Sequence, residues 1–353
     1  RHARLICVVS RRGRDTGPWT AVGGDATLSL MRLALAGDTM LGRLVAERLA
    51  ADPATTLFAD DVASIIGECD AFVLNLECAI SDRGSRWPDP NKPFYFRAPP
   101  RAVEVLADLG VDCVTLANNH ALDYGVDALL DTIEHLSDAG IGVVGAGTDE
   151  AAARRPYVFE VAGTRVGVVG VTDHPAAFAA GPTHPGVAYA DLRVETPRWL
   201  LDTIGALGER VDVVLVTPHW GPNMVQAPLP HVRRAALEMR EAGATLVAGH
   251  SAHVFHGAGD RVLYDLGDFI DDYAVDPELR NDLGLLSVVT FTNGCATRVE
   301  SVPLALEFCF TRLAAPDERD WIVRRFHQAC ASLGTNTSVR GDRIVVEWDN
   351  PEP

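Results

Sequence analysis

The sequence lacks the features that would place it in a membrane, outside the cell or on nucleic acid. No uninterrupted apolar run reaches the roughly 20 residues a spanning helix needs. Residues 1–30 do not follow the basic, apolar, small-residue order of a secretory signal. No membrane insertion and a cytoplasmic location are therefore expected. The seven cysteines (Cys7, Cys69, Cys78, Cys113, Cys295, Cys309 and Cys330) are odd in number and form no CxxC pair. A chain of this size needs no disulfide staples, so they read as reduced, with Cys69, Cys78 and Cys113 as small buried hydrophobes. No dense Lys/Arg run is interleaved with aromatics, and a net charge of −17 repels polyanions, which excludes nucleic acid as a partner. A small phosphorylated or carboxylated substrate stays open, because a bound divalent cation inverts the local potential. There is no glycine loop followed by Lys-Ser or Lys-Thr, so nucleotide handling would need a partner or a metal site. Internal repeats are absent.

What is present is an alternation of short apolar runs with amphipathic stretches, the pattern of a layered α/β fold. Strands are expected at 32–37, 71–77, 113–118, 142–147, 165–172, 212–220 and 245–250. Helices are expected between them at about 39–51, 57–68, 100–109, 125–139, 196–208 and 229–242. After residue 250 the segments 262–270, 285–292 and 296–306 follow one another as strands, which predicts antiparallel character there. Helix 316–330 and strand 343–348 close the sequence. The expected organisation is a poorly structured extension over 1–30, a catalytic domain over 31–306, and a small C-terminal α+β extension over 307–353 packed on it. The Pro- and Gly-rich loops 82–99 and 173–190 are placed to border a pocket.

Chemistry-bearing residues collect at the ends of the expected strands. Asp38 ends the first in AGDTM and Glu77 the second in NLE. Asn118, Asn119 and His120 follow the third in LANNHALDYG, His219 opens HWG, and His250 and His253 lie in GHSAH. Strand ends at one sheet edge are where α/β folds place ligands. Carboxylate, amide oxygen and imidazole without thiolate make a shell for one or two divalent ions, manganese, iron, zinc or nickel, at a hydrolytic centre. Arg43, Arg97 and Lys92 lie nearby in sequence and can meet a substrate carboxylate or phosphate.

Each group also has a plainer reading. Asp38 alone would be a helix cap, and Asn118 fits a turn-tying role better than a ligand role. Asp123 and Tyr124 either orient His120 or serve the turn. His256 reads as a surface residue, and His174 and His184 as solvated loop histidines. Asp265, Asp268, Asp271 and Asp272 read as a solvated acidic edge.

Taken in order, GDTMLGR, NLE, FRAPP, LANNHALDYG, HWG, GHSAH and YDLGDF resemble the poly-γ-glutamate capsule synthesis (CapA-type) family over roughly residues 32–292. The fold of that family is similar to that of calcineurin-like metallophosphoesterases. The resemblance implies a layered metallophosphoesterase-like sandwich of mixed β-sheets flanked by helices. It implies Glu77 as a bridging ligand, with Asn119, His219 and His250 completing one metal site, Asp38 and His253 serving another, and His120 as proton donor. Asp38-Thr39-Met40 stands where a phosphoesterase usually has Asp-x-His, so one ion is expected to be held firmly and a second to exchange. Asp268 occupies a position where the family commonly has Asn. The expected function is a metal-dependent hydrolase or transferase acting through metal-activated water on a phosphoester or a γ-glutamyl-type amide. The alternatives are an amide-bond-forming enzyme of poly-γ-glutamate-like or natural-product biosynthesis, and a non-catalytic metal-binding assembly subunit.

Overall fold

A computed structural model describes residues 29–52 and 54–349. Nearly all of the expected N-terminal extension lies outside the described residues, and Leu30 already belongs to the first strand. Alternation along the central strands explains the architecture. In Leu30–Thr39, Leu33 and Leu35 enter one core and Ala34 and Ala36 another. The same split separates Val73 from Phe72 and Leu74 in Ala71–Leu76, and Leu215 from Val214 and Val216 in Val213–His219. Strands apolar on both sides must be covered on both sides.

The cover on one side is the other sheet. A ten-stranded and a six-stranded sheet share a core in which Leu33, Leu35 and Val73 meet Val166, Val168 and Leu215. Helices Arg43–Ala51, Asp60–Gly67, Ala102–Asp108 and Gly125–Asp138 cover the outer face of the larger sheet. Helices Arg198–Gly208 and Pro230–Glu241 cover that of the smaller one. The result is the expected layered sandwich of mixed sheets flanked by helices. Each fully buried Val, Leu or Phe in these layers contributes about 1.5–3 kcal/mol of transfer free energy, so the three cores dominate the stabilisation.

Strand direction sets where the site lies. Leu30–Thr39, Ala71–Leu76, Cys113–Thr115 and Gly142–Val144 run parallel in the larger sheet. Thr164–Thr172, Val213–His219, Leu246–Ala248 and Val262–Leu263 run parallel in the smaller one. Leu283–Thr292 and Cys295–Glu307 add the expected antiparallel strands on the far side of Leu30–Thr39. Beyond residue 307, Phe310–Leu313 and Arg343–Glu347 pair with Cys295–Glu307. Helix Pro316–Ser332 inserts Ile322, Phe326 and Cys330 into the core between the sheets.

Two expected strands are broken. Segment 142–147 divides at Gly145 (φ +80), and Ala146–Gly147 pairs with Gly186–Val187 instead. Segment 262–270 is two strands, one in each sheet: Val262–Leu263 pairs with Leu246–Ala248, and Asp268–Ile270 with Leu30–Thr39. The crossing is made by Gly267 (φ +71), whose N–H donates to Asp265 Oδ1 at 2.9 Å. Its carbonyl accepts the Asp38 N–H at 2.9 Å.

This crossing presses on Gly37, where an added Cβ would lie 1.7 Å from the Gly267 carbonyl oxygen. Gly37→Ala is therefore expected to lower stability by about 1–3 kcal/mol or more, as overpacking does. Urea unfolding checks this, and a wild-type midpoint in the variant would contradict so close an approach.

Candidate metal centre

The parallel strands of both sheets end at a common rim. Asp38 lies at the end of Leu30–Thr39, in register with Asn75 on one side and Asp268 on the other. Glu77 follows Ala71–Leu76, and His120 sits in the turn beyond Cys113–Thr115. His219 ends Val213–His219 and is bridged to His250, which follows Leu246–Ala248. His253 (φ +59) and Ser251 (φ +109) occupy left-handed backbone that non-glycine residues avoid. Such strain persists only where the surroundings enforce it and is concentrated at functional sites.

The side chains converge. The Asn75 amide donates to Asp38 Oδ1 at 2.8 Å and to Glu77 Oε2 at 2.9 Å, holding the two carboxylates side by side. His250 Nδ1 lies 3.3 Å from Asp38 Oδ1 and His253 Nδ1 3.4 Å from Asp38 Oδ2. His219 Nε2 stands 3.6 Å, and His120 Nε2 3.8 Å, from the Glu77 carboxylate. Ligand atoms of Asp38, Glu77 and His253 all fall within 4.8 Å of one another. Asp38 and Glu77 are each 0% exposed.

The donor set fits a divalent cation, on the evidence of what is left unpaired. Glu77 Oε1, both ring nitrogens of His219, Asn119 Oδ1 and Asp268 Oδ2 are buried without hydrogen-bond partners. Buried polar groups rarely stay so unless something else satisfies them. Burial works against the Asp38 charge, yet the imidazoles of His250, His253 and His219 hold its carboxyl below the usual range. Burial and then the Asp38 charge push Glu77 well above it. Burial also raises Asp265 and Asp268 well above the ordinary carboxylate range, with Asp38 adding to both. By itself the protein can thus ionise only part of this cluster, whereas a divalent ion at its centre would favour every carboxylate in its charged form. Burial holds His219 well below the ordinary imidazole value, in the neutral form that ligates metal.

His120 is held from outside the cluster. Its Nδ1 lies 2.6 Å from Asp123 Oδ2, which also accepts the Phe96 N–H at 2.7 Å. Lys92, the only lysine in the sequence, places Nζ 2.9 Å from Asp123 Oδ1 and donates to the Asn119 carbonyl at 2.8 Å. Asp123 therefore orients His120, while Tyr124 packs with Tyr95 and Arg97. Asn118 ties the turn, its amide donating to Asn75 Oδ1 and the Leu76 carbonyl while its Oδ1 accepts the His120 N–H. Arg43 lies against Phe94, Phe96 and Tyr273. Arg97 stacks 4.2 Å from the Tyr124 centroid.

Two plainer readings are corrected, those of the acidic cluster and of His256. Asp265, Asp268, Asp271 and Asp272 are buried, because the crossing strand carries them into the junction between the sheets. Asp268 accepts from His253 Nδ1 at 2.8 Å, and Asp265 Oδ2 takes the Ala252 N–H at 2.8 Å, fixing the GHSAH turn. His256 is buried under loop 222–229 with Nε2 2.8 Å from the Val225 carbonyl. His174 packs on His219, ring centroids 5.0 Å apart, with Nδ1 bonded to Asp173. Asp173 also accepts the Gly221 N–H at 3.0 Å. The one available signal for this pair was the position of Asp173 and His174 directly after strand Thr164–Thr172.

The rim is thus a carboxylate and imidazole cluster at the junction of two stacked sheets. Residues 32–273 match the family described as Bacterial capsule synthesis protein PGA_cap, and the chain belongs to that family. A probable polyglutamine synthesis accessory protein of Mycobacterium tuberculosis (strain ATCC 25618 / H37Rv) is 31% identical over 294 residues, covering 78% of this chain and 76% of that protein. The PGA biosynthesis protein CapA of Bacillus subtilis (strain 168) is 29% identical, covering 74% of this chain and 67% of that protein. The capsule biosynthesis protein CapA of Bacillus anthracis is 28% identical over 69% of this chain and 60% of its own length. Among the described residues, no helix is long and apolar enough to cross a membrane.

Two stability predictions follow from these contacts. Lys92→Met takes the cation from Asp123 Oδ1, leaving His120 and the Phe96 N–H on Oδ2, and is expected to cost up to about 3–5 kcal/mol, the usual cost of breaking a buried pair. Calorimetric unfolding checks it, and an unchanged midpoint would mean that Lys92 does not hold Asp123. Burial pushes His256 down to about 4 from 6.5. Unfolded protein thus takes up this proton before folded protein does. The stabilisation tied to neutral His256 is complete above pH 6.5, is lost as pH falls from 6.5 to 4, and levels off below. His256→Gln should flatten this fall by at most on the order of 3 kcal/mol. Urea midpoints at pH 7 and pH 4.5 measure it, and equal acid sensitivity in the two proteins would refute it.

Proposed function

We propose that this chain is a metal-dependent hydrolase or transferase of polyglutamate capsule biosynthesis, acting on a γ-glutamyl-type amide or a phosphoester. The observation that carries the reading is the convergence of fully buried Asp38 and Glu77 with His253 and the unpaired ring of His219. The Bacillus relatives, named for PGA and capsule biosynthesis, supply the biosynthetic setting.

Asp38, Glu77, Asn119, His219, His250 and His253 would hold the metal. The chemistry a divalent ion would supply there is Lewis acidity, which would lower the pKa of a bound water toward neutrality. The remaining work belongs to the protein. Asp123 fixes the His120 ring through Nδ1 and leaves Nε2 facing the Glu77 side of the cluster. Protonated, His120 can donate from Nε2 to a departing nitrogen or oxygen while Asp123 holds the other N–H. Neutral, it can accept a proton at the same atom. Lys92 and the Phe96 N–H compensate the Asp123 charge, so the ring keeps its orientation in both states.

Elemental mass spectrometry of the purified protein, with hydrolysis assays on phosphoester and γ-glutamyl amide panels in manganese, iron, nickel or zinc, tests the reading. About one equivalent of metal with metal-dependent turnover is expected. His120→Ala should lower turnover about 10²–10⁴-fold while sparing metal, the span a proton-transfer group contributes. His219→Ala should lose metal and activity together. Protein that takes up no metal would remove the reading. Metal without turnover on either panel would point instead to an accessory role, as the name of the mycobacterial relative has it.

A further inference from the structure

We propose that Arg43 binds an oxyanion of the substrate, a carboxylate or phosphate, beside the metal centre. The proposal rests on the reading above for where the reacting bond lies, and on the surroundings of Arg43 for what it binds.

Arg43 begins helix Arg43–Ala51 with φ +52, a left-handed conformation that arginine avoids. The strain is held by Asp272, whose Oδ2 accepts the Leu44 N–H at 3.1 Å and lies 3.3 Å from Arg43 Nε. This geometry turns the guanidinium into a box of rings, 5.1 Å from the Phe94 centroid, 5.5 Å from Phe96 and 6.0 Å from Tyr273. Aromatic faces attract the cation but accept few of its N–H bonds. Nη1 is accordingly buried with no acceptor, although a guanidinium carries five donors.

The walls of the box are the walls of the centre. The Phe96 ring packs 4.6 Å from the His120 ring, and the Tyr273 ring 5.3 Å from the His253 ring. Arg43 therefore stands one ring away from both the proton-transfer histidine and a candidate metal ligand, with its side chain 32% exposed. A guanidinium fixed by strain, desolvated on one side, with Nε on Asp272 and Nη1 without an acceptor, is suited to a planar or tetrahedral oxyanion. Arg97 is different: it lies flat on Tyr124 and its Nη1 donates to the Arg83 carbonyl at 3.1 Å. The two arginines that sequence alone treated alike are thus separated.

The test is titration calorimetry of the manganese-loaded full chain with tri-γ-glutamate and, separately, with inorganic phosphate. Arg43→Gln is expected to weaken at least one probe about tenfold or more, the scale of a lost charged hydrogen bond. Arg43→Lys, which keeps the charge but not the fork, should retain part of the affinity, and Arg97→Gln should match wild type. The probe that loses affinity tells carboxylate from phosphate. Wild-type affinity for both probes in the two Arg43 variants, equal loss in Arg97→Gln, or a wild type that binds neither probe would overturn the proposal. Should Arg43→Gln lose metal or unfold, Arg43→Lys decides on the same criterion. Metal content measured on the same samples reads the centre separately, so a wild type without metal defeats the function proposed above and not Arg43-dependent binding.

Discussion

The structure depends on keeping Asp38 and Glu77 together, out of water, at the junction of two sheets. Two carboxylates bridged by the Asn75 amide repel one another when both are charged in a low-dielectric interior, and Asp265 and Asp268 add to the cost. The fold accepts this because other groups are brought up around them: imidazoles from the smaller sheet, a turn from the larger one, and the crossing strand that links the two. The centre is therefore a property of the stacking. The shared core of Leu33, Val73, Val168 and Leu215 fixes how far apart the two rims stand.

Around that cluster, the protein sorts its polar groups by role. Glu77 Oε1 and both ring nitrogens of His219 lack partners. The groups behind them are bonded: Asp123 to His120, Asp268 to His253, Asp173 to His174, and Asp265 to the GHSAH turn. Carboxylates that fix the orientation of imidazoles are the usual support of metal sites. Asp268 stands fifteen residues beyond His253, so that pair exists only once the chain is folded.

Much of the layout was legible in the sequence, for physical reasons that differ by element. Strands such as 71–77 and 212–220 were visible because burial on both faces leaves an unbroken apolar run, and the helices between them because one apolar stripe recurs at helical spacing. Broken strands were not legible. Segment 262–270 is rich in apolar residues around Asp265, Gly267 and Asp268, and nothing local says that its halves join different sheets. The acidic cluster at 265–272 was misread for the same reason, since acidic residues on a solvated edge and in a buried junction look alike in one dimension.

The sequence by itself determined the element order and the placement of Asp38, Glu77, Asn119, His120, His219, His250 and His253 at strand ends, because side-chain periodicity and turn chemistry are local. Tertiary structure alone decided that Asp38 lies between His250 and His253, that His174 packs on His219, and that Arg43 rather than Arg97 has a free donor beside the centre. These are distances between residues far apart in the chain, and they are set by how two sheets stack and where one strand crosses between them.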